Sequence, residues 1–367
     1  VYKRQTTDYQ REGHFQNESY PDNSLGKSEK LSFTDLGFKG GITYKFTGRH
    51  LVGLNAAYLS KAPTIQNSFI NVRENNNVIK ELESEKIASA EVSYILRTPL
   101  LKSRLTGYYT EFKEGTDLNF VFAQTGSGTD FFQEVITNIH KQHFGAELGL
   151  EYLISPTTKI IAAAAYGKHT YTDNANVSIN FDTAGFNDDV INSIGFKDLG
   201  EANIKGLRIA IGPQLAYSIG IEYSDPIFWW FGATANYLLN SYVDVSTIVR
   251  TSDFFINPDD PLGLPFENID PEFASELLKQ EKFDGFYLLN LTGGKSWRIK
   301  RDYLSLFVSI NNLFETPFIT GGYEQSRTAN YAYLVEDTAN GNNNRSFGNK
   351  YWFGFGRTYF INLAYSF

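Results

Sequence analysis

Short and long connections alternate strictly along this chain, and few architectures call for that arrangement. Stretches of alternating apolar and polar residues, the mark of half-buried strands, are joined by short turns near residues 47–49, 99–101, 155–158, 224–226 and 298–302. Long polar segments fall between them, near residues 61–85, 114–140, 172–204, 244–283 and 315–348. In a sheet of antiparallel neighbours, successive connections lie at opposite ends, so the short turns share one end and the long loops the other. A soluble sandwich or propeller has no reason to segregate them. A barrel facing two compartments does. The expected fold is therefore all-β, a transmembrane antiparallel β-barrel with short periplasmic turns and long extracellular loops. About 11 strands can be read, an odd number where single-chain bacterial barrels have even ones. An open sheet in lipid would leave unpaired edges at several kcal/mol per group. The expectation is an incomplete barrel, about 11 of an expected 22 strands.

The strands carry the two faces such a wall requires. Leu36, Phe38, Ile42, Tyr44 and Phe46 alternate with Gly37, Lys39, Gly41, Thr43 and Lys45. Phe144, Ala146, Leu148, Leu150, Tyr152 and Ile154 alternate with Gly145, Glu147, Gly149 and Glu151. A similar strand is read from Ile209 to Tyr223. Glu91, Glu147, Glu151, Glu222 and Asn311 fall at polar positions and are expected to face the lumen. Asn312 breaks the parity of its strand, which a bulge or the end of the lipid band would explain. Residues 102–113 and 159–171 alternate too weakly to assign faces. Residues 349–367, NKYWFGFGRTYFINLAYSF, read as one last strand. Tyr351, Phe353, Tyr359, Tyr365 and Phe367 lie on its apolar face, with rings at both ends and Ile361 and Leu363 between. That is the pattern of a strand with aromatics at each headgroup level. One helix is expected in the long loops: Asp270 caps it, Pro271 opens it and Glu272 suits its positive end.

Composition narrows the functions. There is no cysteine, which excludes disulfides, zinc–thiolate sites and thiol catalysis. A net charge of −8 argues against nucleic acid as a partner. No apolar run reaches the roughly 20 residues of a spanning helix. A mean hydropathy of −0.30 is compatible with a barrel, which shows lipid only every second residue. No catalytic constellation stands out, so no enzyme and no cofactor are expected. His140 and His143 could suggest a metal pair, but three-residue spacing on a strand puts them on opposite faces. TGSGTD at residues 125–130 lacks the strand-to-helix setting of a phosphate loop. Asp259 and Asp260 could bind calcium, with a turn as the alternative. In the last long loop Tyr323, Tyr331 and Tyr333, with Arg327, could stack on a sugar or clamp a carboxylate. Loop packing is the preferred reading of those four.

Residues 1–5, VYKRQ, resemble the translated end of a sequencing adapter and are expected to be non-native. Residues 6–30 are polar and turn-rich and read as an extracellular loop.

SINNLFETPF (residues 309–318), a loop, and GRTYFINLAYSF (residues 356–367) together resemble the end of the TonB-dependent receptors of the Gram-negative outer membrane. KAPTIQNSF (61–69), LESEKIASAEVSYILRTPLLKSRLTGYYTEFK (82–113) and NIHKQHFGAELGLEY (138–152) are similar to further stretches of that family, in the family's order. Each is weak alone; the series is specific. The resemblance spans residues 31–367 and implies the C-terminal part of a barrel, with the Asn-rich loops leaning toward Bacteroidetes-type members. It implies uptake of a scarce ligand, such as a siderophore, cobalamin, haem or glycan. It further implies outer-membrane lipid, the TonB complex and a surface lipoprotein as partners. The plug domain and TonB-contacting box of the family would precede residue 1. A passive porin, a barrel hydrolase and a soluble carbohydrate-active β-protein are the alternatives.

Overall fold

A computed structural model describes residues 2–16, 23–72, 74–125, 128–180, 196–340 and 345–367. One antiparallel sheet organises it. Its strands are β1 (Tyr2–Tyr9), β2 (Leu31–Lys45), β3 (His50–Lys61), β4 (Glu85–Arg97), β5 (Leu101–Thr125), β6 (Gly128–Ser155), β7 (Thr158–Tyr171), β8 (Ala175–Asn180), β9 (Phe196–Ala202), β10 (Leu215–Ser224), β11 (Trp229–Leu239), β12 (Phe286–Ile299) and β13 (Asp302–Asn311). After a small separate ladder of β14 (Ile319–Tyr323) and β15 (Lys350–Phe353), β16 (Thr358–Ser366) completes it. The wall runs β1 through β7 in order, then β10, β11, β12, β13 and β16, and β8 and β9 branch from the outer part of β6. The path is open: β1 and β16 are its two ends.

The register fixes two faces. Directly opposed residues share a face. One row reads Tyr44, Val52, Tyr94, Leu105, Leu148, Ala164, Tyr217, Tyr237 and Tyr287 across nine strands, with no charge in it. The neighbouring row on the other face reads Thr43, Gly53, Ser93, Thr106, Glu147, Ala165 and Ala216. Ile42, Leu54, Val92, Ile219 and Tyr287 are all at least half exposed on the first face. The register also assigns the strands that sequence left open. Leu105 and Tyr109 of β5, and Ala162, Ala164 and Tyr166 of β7, belong to the apolar face.

Hydrophobic burial lies elsewhere, in the long connections. Phe132, Ile136, Val177, Ile179, Ile204, Ile248, Phe254 and Leu334 belong to one cluster built from the far ends of β5 and β6, from β8 and β9, and from the loops after β11 and β14. The ends carrying these connections thus hold a packed cap, while the wall has no core of its own. The expected helix is there as α1 (Pro271–Leu277), with Asp270 Oδ1 accepting from the amides of Glu272 at 2.9 Å and Phe273 at 3.4 Å.

Several expectations are corrected. Residues 6–9, expected as part of a loop, belong with residues 2–5 to β1, which pairs with β2. The segment has no period of two to read, with Arg4 opposite Leu36 and Thr6 opposite Thr34. Residues 10–16 and 23–30 hold only a two-residue ladder, Glu12–Gly13 with Gly26–Lys27. Residues 114–140, expected as a loop, continue β5 and β6 as a long hairpin. Register shifts at Gly115, with Glu114 and Asn138 at positive φ (57° and 56°), break the parity that would have betrayed it. The strand read from Ile209 begins only at Leu215, because Gly212 stands at φ 104° and Pro213 has no amide to donate. The last 19-residue strand is two elements. Gly354 accepts no side chain, since a Cβ there would collide with the Phe318 ring, and β15 pairs with β14 rather than with the wall. A second helix, α2 (Tyr331–Asn340), was missed. Asn330 starts it, accepting from the Ala332 amide at 3.1 Å.

Candidate functional site

Two regions could meet a ligand: the polar face of the wall and the cap at its end. On the polar face three cross-strand ion pairs stand side by side. Arg104 reaches Glu91 at 2.9 Å, Lys102 reaches Glu151 at 2.8 Å and Lys159 reaches Glu222 at 2.8 Å. Arg104 also donates to Ser93 Oγ and Thr106 Oγ1, both at 3.1 Å, and Ser93 donates to Glu91 at 3.0 Å. Glu147 sits between Thr106 and Ala165, and Asn311 donates to Thr358 Oγ1 at 3.3 Å. Glu91, Glu147, Glu151, Glu222 and Asn311 therefore share one face of the sheet. Glu91, Arg104, Thr106, Glu147, Ser218 and Asn236 line a concavity of about 470 Å³ there.

The cap is held by buried charge as well as by apolar packing. Arg250 and Glu324 form a two-pronged pair, with one contact at 2.9 Å, and their side chains are 3% and 13% exposed. One further donor on each Nη of Arg250 goes to a carbonyl, that of Ser246 at 2.9 Å and that of Leu278 at 2.8 Å, and Glu324 accepts from the Ser246 amide at 2.9 Å. A buried pair persists only when its remaining groups are satisfied in this way. Glu134 on β6 is buried and accepts from Thr247 Oγ1 and, at 3.0 Å, from Asn119 Nδ2. Burial pushes its carboxyl above the usual carboxylate range; the two hydrogen bonds pull the other way and Asp117 adds to the rise. Burial also raises Asp244. These partners lie 74 and 113 residues apart in sequence, so no local pattern could have exposed them.

The loop residues singled out by sequence are engaged in different places. Arg327 is exposed, its guanidinium between the Phe122 ring at 4.8 Å and the Phe347 ring at 4.2 Å. The Tyr323 ring lies tilted by 39° against Trp352, centroids 5.8 Å apart, and both are exposed. Tyr331 packs among Phe254, Phe255 and Phe266, and Tyr333 is half-buried on α2. Tyr359, Ile361, Leu363 and Tyr365 oppose Ile310, Val308, Leu306 and Leu304 on the apolar face, and Phe367 follows in the same parity. Tyr351 and Phe353 lie off the wall, on β15, because that segment pairs with β14. The Tyr351 hydroxyl donates to Glu281 at 2.8 Å; burial, then that carboxylate, push it up to about 12. Asn312 ends its strand at φ 50° and staples the following turn, trading hydrogen bonds of 2.9 Å with Thr316 in both directions. His140 faces Glu114 at 3.8 Å, away from His143. Asp260 accepts from the Leu262 amide at 2.8 Å, as a turn residue does. Gly126 and Ser127 of TGSGTD lie outside the described residues. Among the described residues no group of three or more His, Cys, Asp or Glu could hold a metal.

No curated protein matches the chain. Among solved structures it is similar to the copper transporter OprC, with a TM-score of 0.54 at 15% identity over 92% of this chain. It is similar also to the ferric-catecholate import receptor Fiu from K12 E. coli (0.53, 15%, 99%) and to the siderophore receptor PiuA from Acinetobacter baumannii (0.54, 13%, 94%). At such identities these likenesses bear on the fold alone. The chain spans 40%, 40% and 37% of their lengths. A family model described as TonB dependent receptor-like, beta-barrel matches residues 4–313. With that match over most of its length, on an open two-faced antiparallel wall, the chain belongs to the TonB-dependent receptor β-barrel family.

Proposed function

We propose that this chain is part of the barrel of an outer-membrane receptor that imports a scarce small molecule, driven by TonB through a plug supplied by another part of the full-length protein. The observation that carries the reading is the two-faced wall: a tyrosine-rich face whose row from Tyr44 to Tyr287 carries no charge, suited to lipid, and a face of ion pairs, hydroxyls and glycines suited to a watery lumen. The long connections, folded into a cap, suit capture of the ligand outside the membrane. Within the cap, the exposed guanidinium of Arg327 and the exposed Tyr323 and Trp352 rings are the groups proposed to meet it. Import is proposed for ligands of the siderophore, cobalamin, haem or glycan kind, with no chemistry performed on them.

The test expresses the full-length receptor in a Gram-negative host lacking its own importers, with and without functional TonB. Radiolabelled ferric siderophores, cobalamin, haem and oligosaccharides are offered in turn. Accumulation of at least one of them only with both receptor and TonB is the expected result. Accumulation that is indifferent to TonB would replace active import by a passive pore.

A further inference from the structure

His143 on β6 and His169 on β7 stand directly opposite one another in the ladder. They lie on the polar face, two positions along from Gly145 and Gly167. The two imidazole rings meet edge to face, with centroids 4.5 Å apart. His143 Nε2 and His169 Nδ1 are both buried and have no hydrogen-bond partner. Aromatic rings fix both imidazoles: Phe112 lies 5.0 Å from His143, and Tyr108 lies parallel to His169 at 6.5 Å. The two glycines make the room. A Cβ on Gly167 would collide with His169 Nε2, and one on Gly145 would lie 2.7 Å from Tyr108 Oη. Imidazoles that only fill space bond their nitrogens to carbonyls or carboxylates; here each of two touching rings keeps one buried nitrogen without a partner.

We propose that His143 and His169 form a two-imidazole site for a divalent first-row transition ion, with copper(II) the tightest by the usual affinity order. Directly opposed strand residues hold their Cβ atoms about 4.5–5.5 Å apart, which lets two imidazoles reach one ion with metal–nitrogen distances of about 2.0–2.1 Å. Neutral imidazole suits copper, zinc and nickel, and magnesium or calcium poorly. Lys141 and Arg208 are the charged groups that act on the pair. Lys141 is turned over the Tyr171 ring at 5.8 Å, and Arg208 lies over Tyr242 at 5.5 Å while donating to Gln214 Oε1 at 3.0 Å. Two such cations favour an ion that arrives with an anionic co-ligand in its remaining positions. His140, on the opposite face beside Glu114, is no part of the site. The inference needs only the two rings and does not rest on import.

Full-length receptor in detergent, its folding checked by heat-modifiable electrophoretic mobility, is titrated with copper(II) sulfate against glycine as a weak competitor. The electron paramagnetic resonance spectrum is followed throughout. His143→Gln and His169→Gln should each lose one copper equivalent with a two-nitrogen pattern, and the double variant should lose no more than either single. His140→Gln should keep it. A site that survives either single substitution, or is lost equally in His140→Gln, overturns the proposal. A measurement without variants decides the matter if a substituted protein misfolds. Diethylpyrocarbonate should modify His143 and His169 in the wild type, and copper(II) should block both while leaving His140 unchanged, as read by mass spectrometry. No copper protection of the pair overturns the proposal as well.

Discussion

Glu134 shows how a single side chain ties the cap to the wall. It sits on the far half of β6 and reaches Thr247 in the loop after β11, so its carboxyl joins two segments that share no backbone ladder. Its raised carboxyl favours the protonated form in the folded cap, where Asn119 and Asp117 of β5 face it. A carboxyl whose folded pKa lies above its unfolded one contributes stability below the ordinary carboxylate range. That contribution is lost as the pH rises through the raised value. Amide protection in residues 241–256, after correction for the base-catalysed intrinsic exchange rate, should therefore fall as the pH rises above the ordinary carboxylate range. Glu134→Gln, a neutral group of the same shape, should flatten this dependence while leaving exchange in β10–β12 unchanged. An unaltered pH profile in the variant would assign the dependence to another group, of which Asp244 is the nearest in kind.

At the scale of elements, what was legible in the sequence follows from period. Strands of the wall show a period of two because one face meets an apolar phase and the other a polar one. β2, β6 and β10 could be placed from side chains alone, and their faces assigned. β5 and β7 could be placed but not oriented. Ile161, Ala163 and Ala165 put small or apolar side chains on the polar face of β7, so the alternation fades. The extension of the β5–β6 hairpin was illegible because two positive-φ residues shift its register midway. The final strand was read too long for the opposite reason. Lys350–Phe353 keeps the parity of Thr358–Ser366, and only the packing of Gly354 on Phe318 separates them. The remainder gives a direct test of the faces. Leu363 opposes Leu306, and Asn362 opposes Phe307. An arginine on the lipid face of a barrel costs about 2–4 kcal/mol near the midplane and far less where its head reaches water. In the full-length receptor Leu363→Arg should lower folding stability in lipid vesicles by about that amount, and Asn362→Arg by clearly less. Equal costs would mean that this strand does not separate lipid from lumen.

For the molecule as a whole, the open wall decides how the chain can exist. Its end strands, Tyr2–Tyr9 and Thr358–Ser366, each pair on one side only. The free edge of each presents backbone amides and carbonyls that lipid cannot satisfy, at several kcal/mol per group. The wall also buries no core of its own, so nothing within it offsets that cost; the packed cluster lies in the cap. Two routes would satisfy the edges: further strands of a longer polypeptide, or the edges of a second copy. This chain spans 40% of the length of the similar solved structures OprC and Fiu, which favours the first. The 367-residue chain, refolded alone into planar bilayers, should therefore give no stable single-channel conductance. Supplying the remaining strands of the full-length protein, as a separately expressed fragment, should yield a heat-modifiable barrel. A steady conductance level from this chain alone, independent of its concentration, would show that β1 and β16 close on each other in lipid. A level that rises steeply with concentration would point to closure by a second copy. Either outcome would remove the case that the wall is completed by other strands of the same polypeptide.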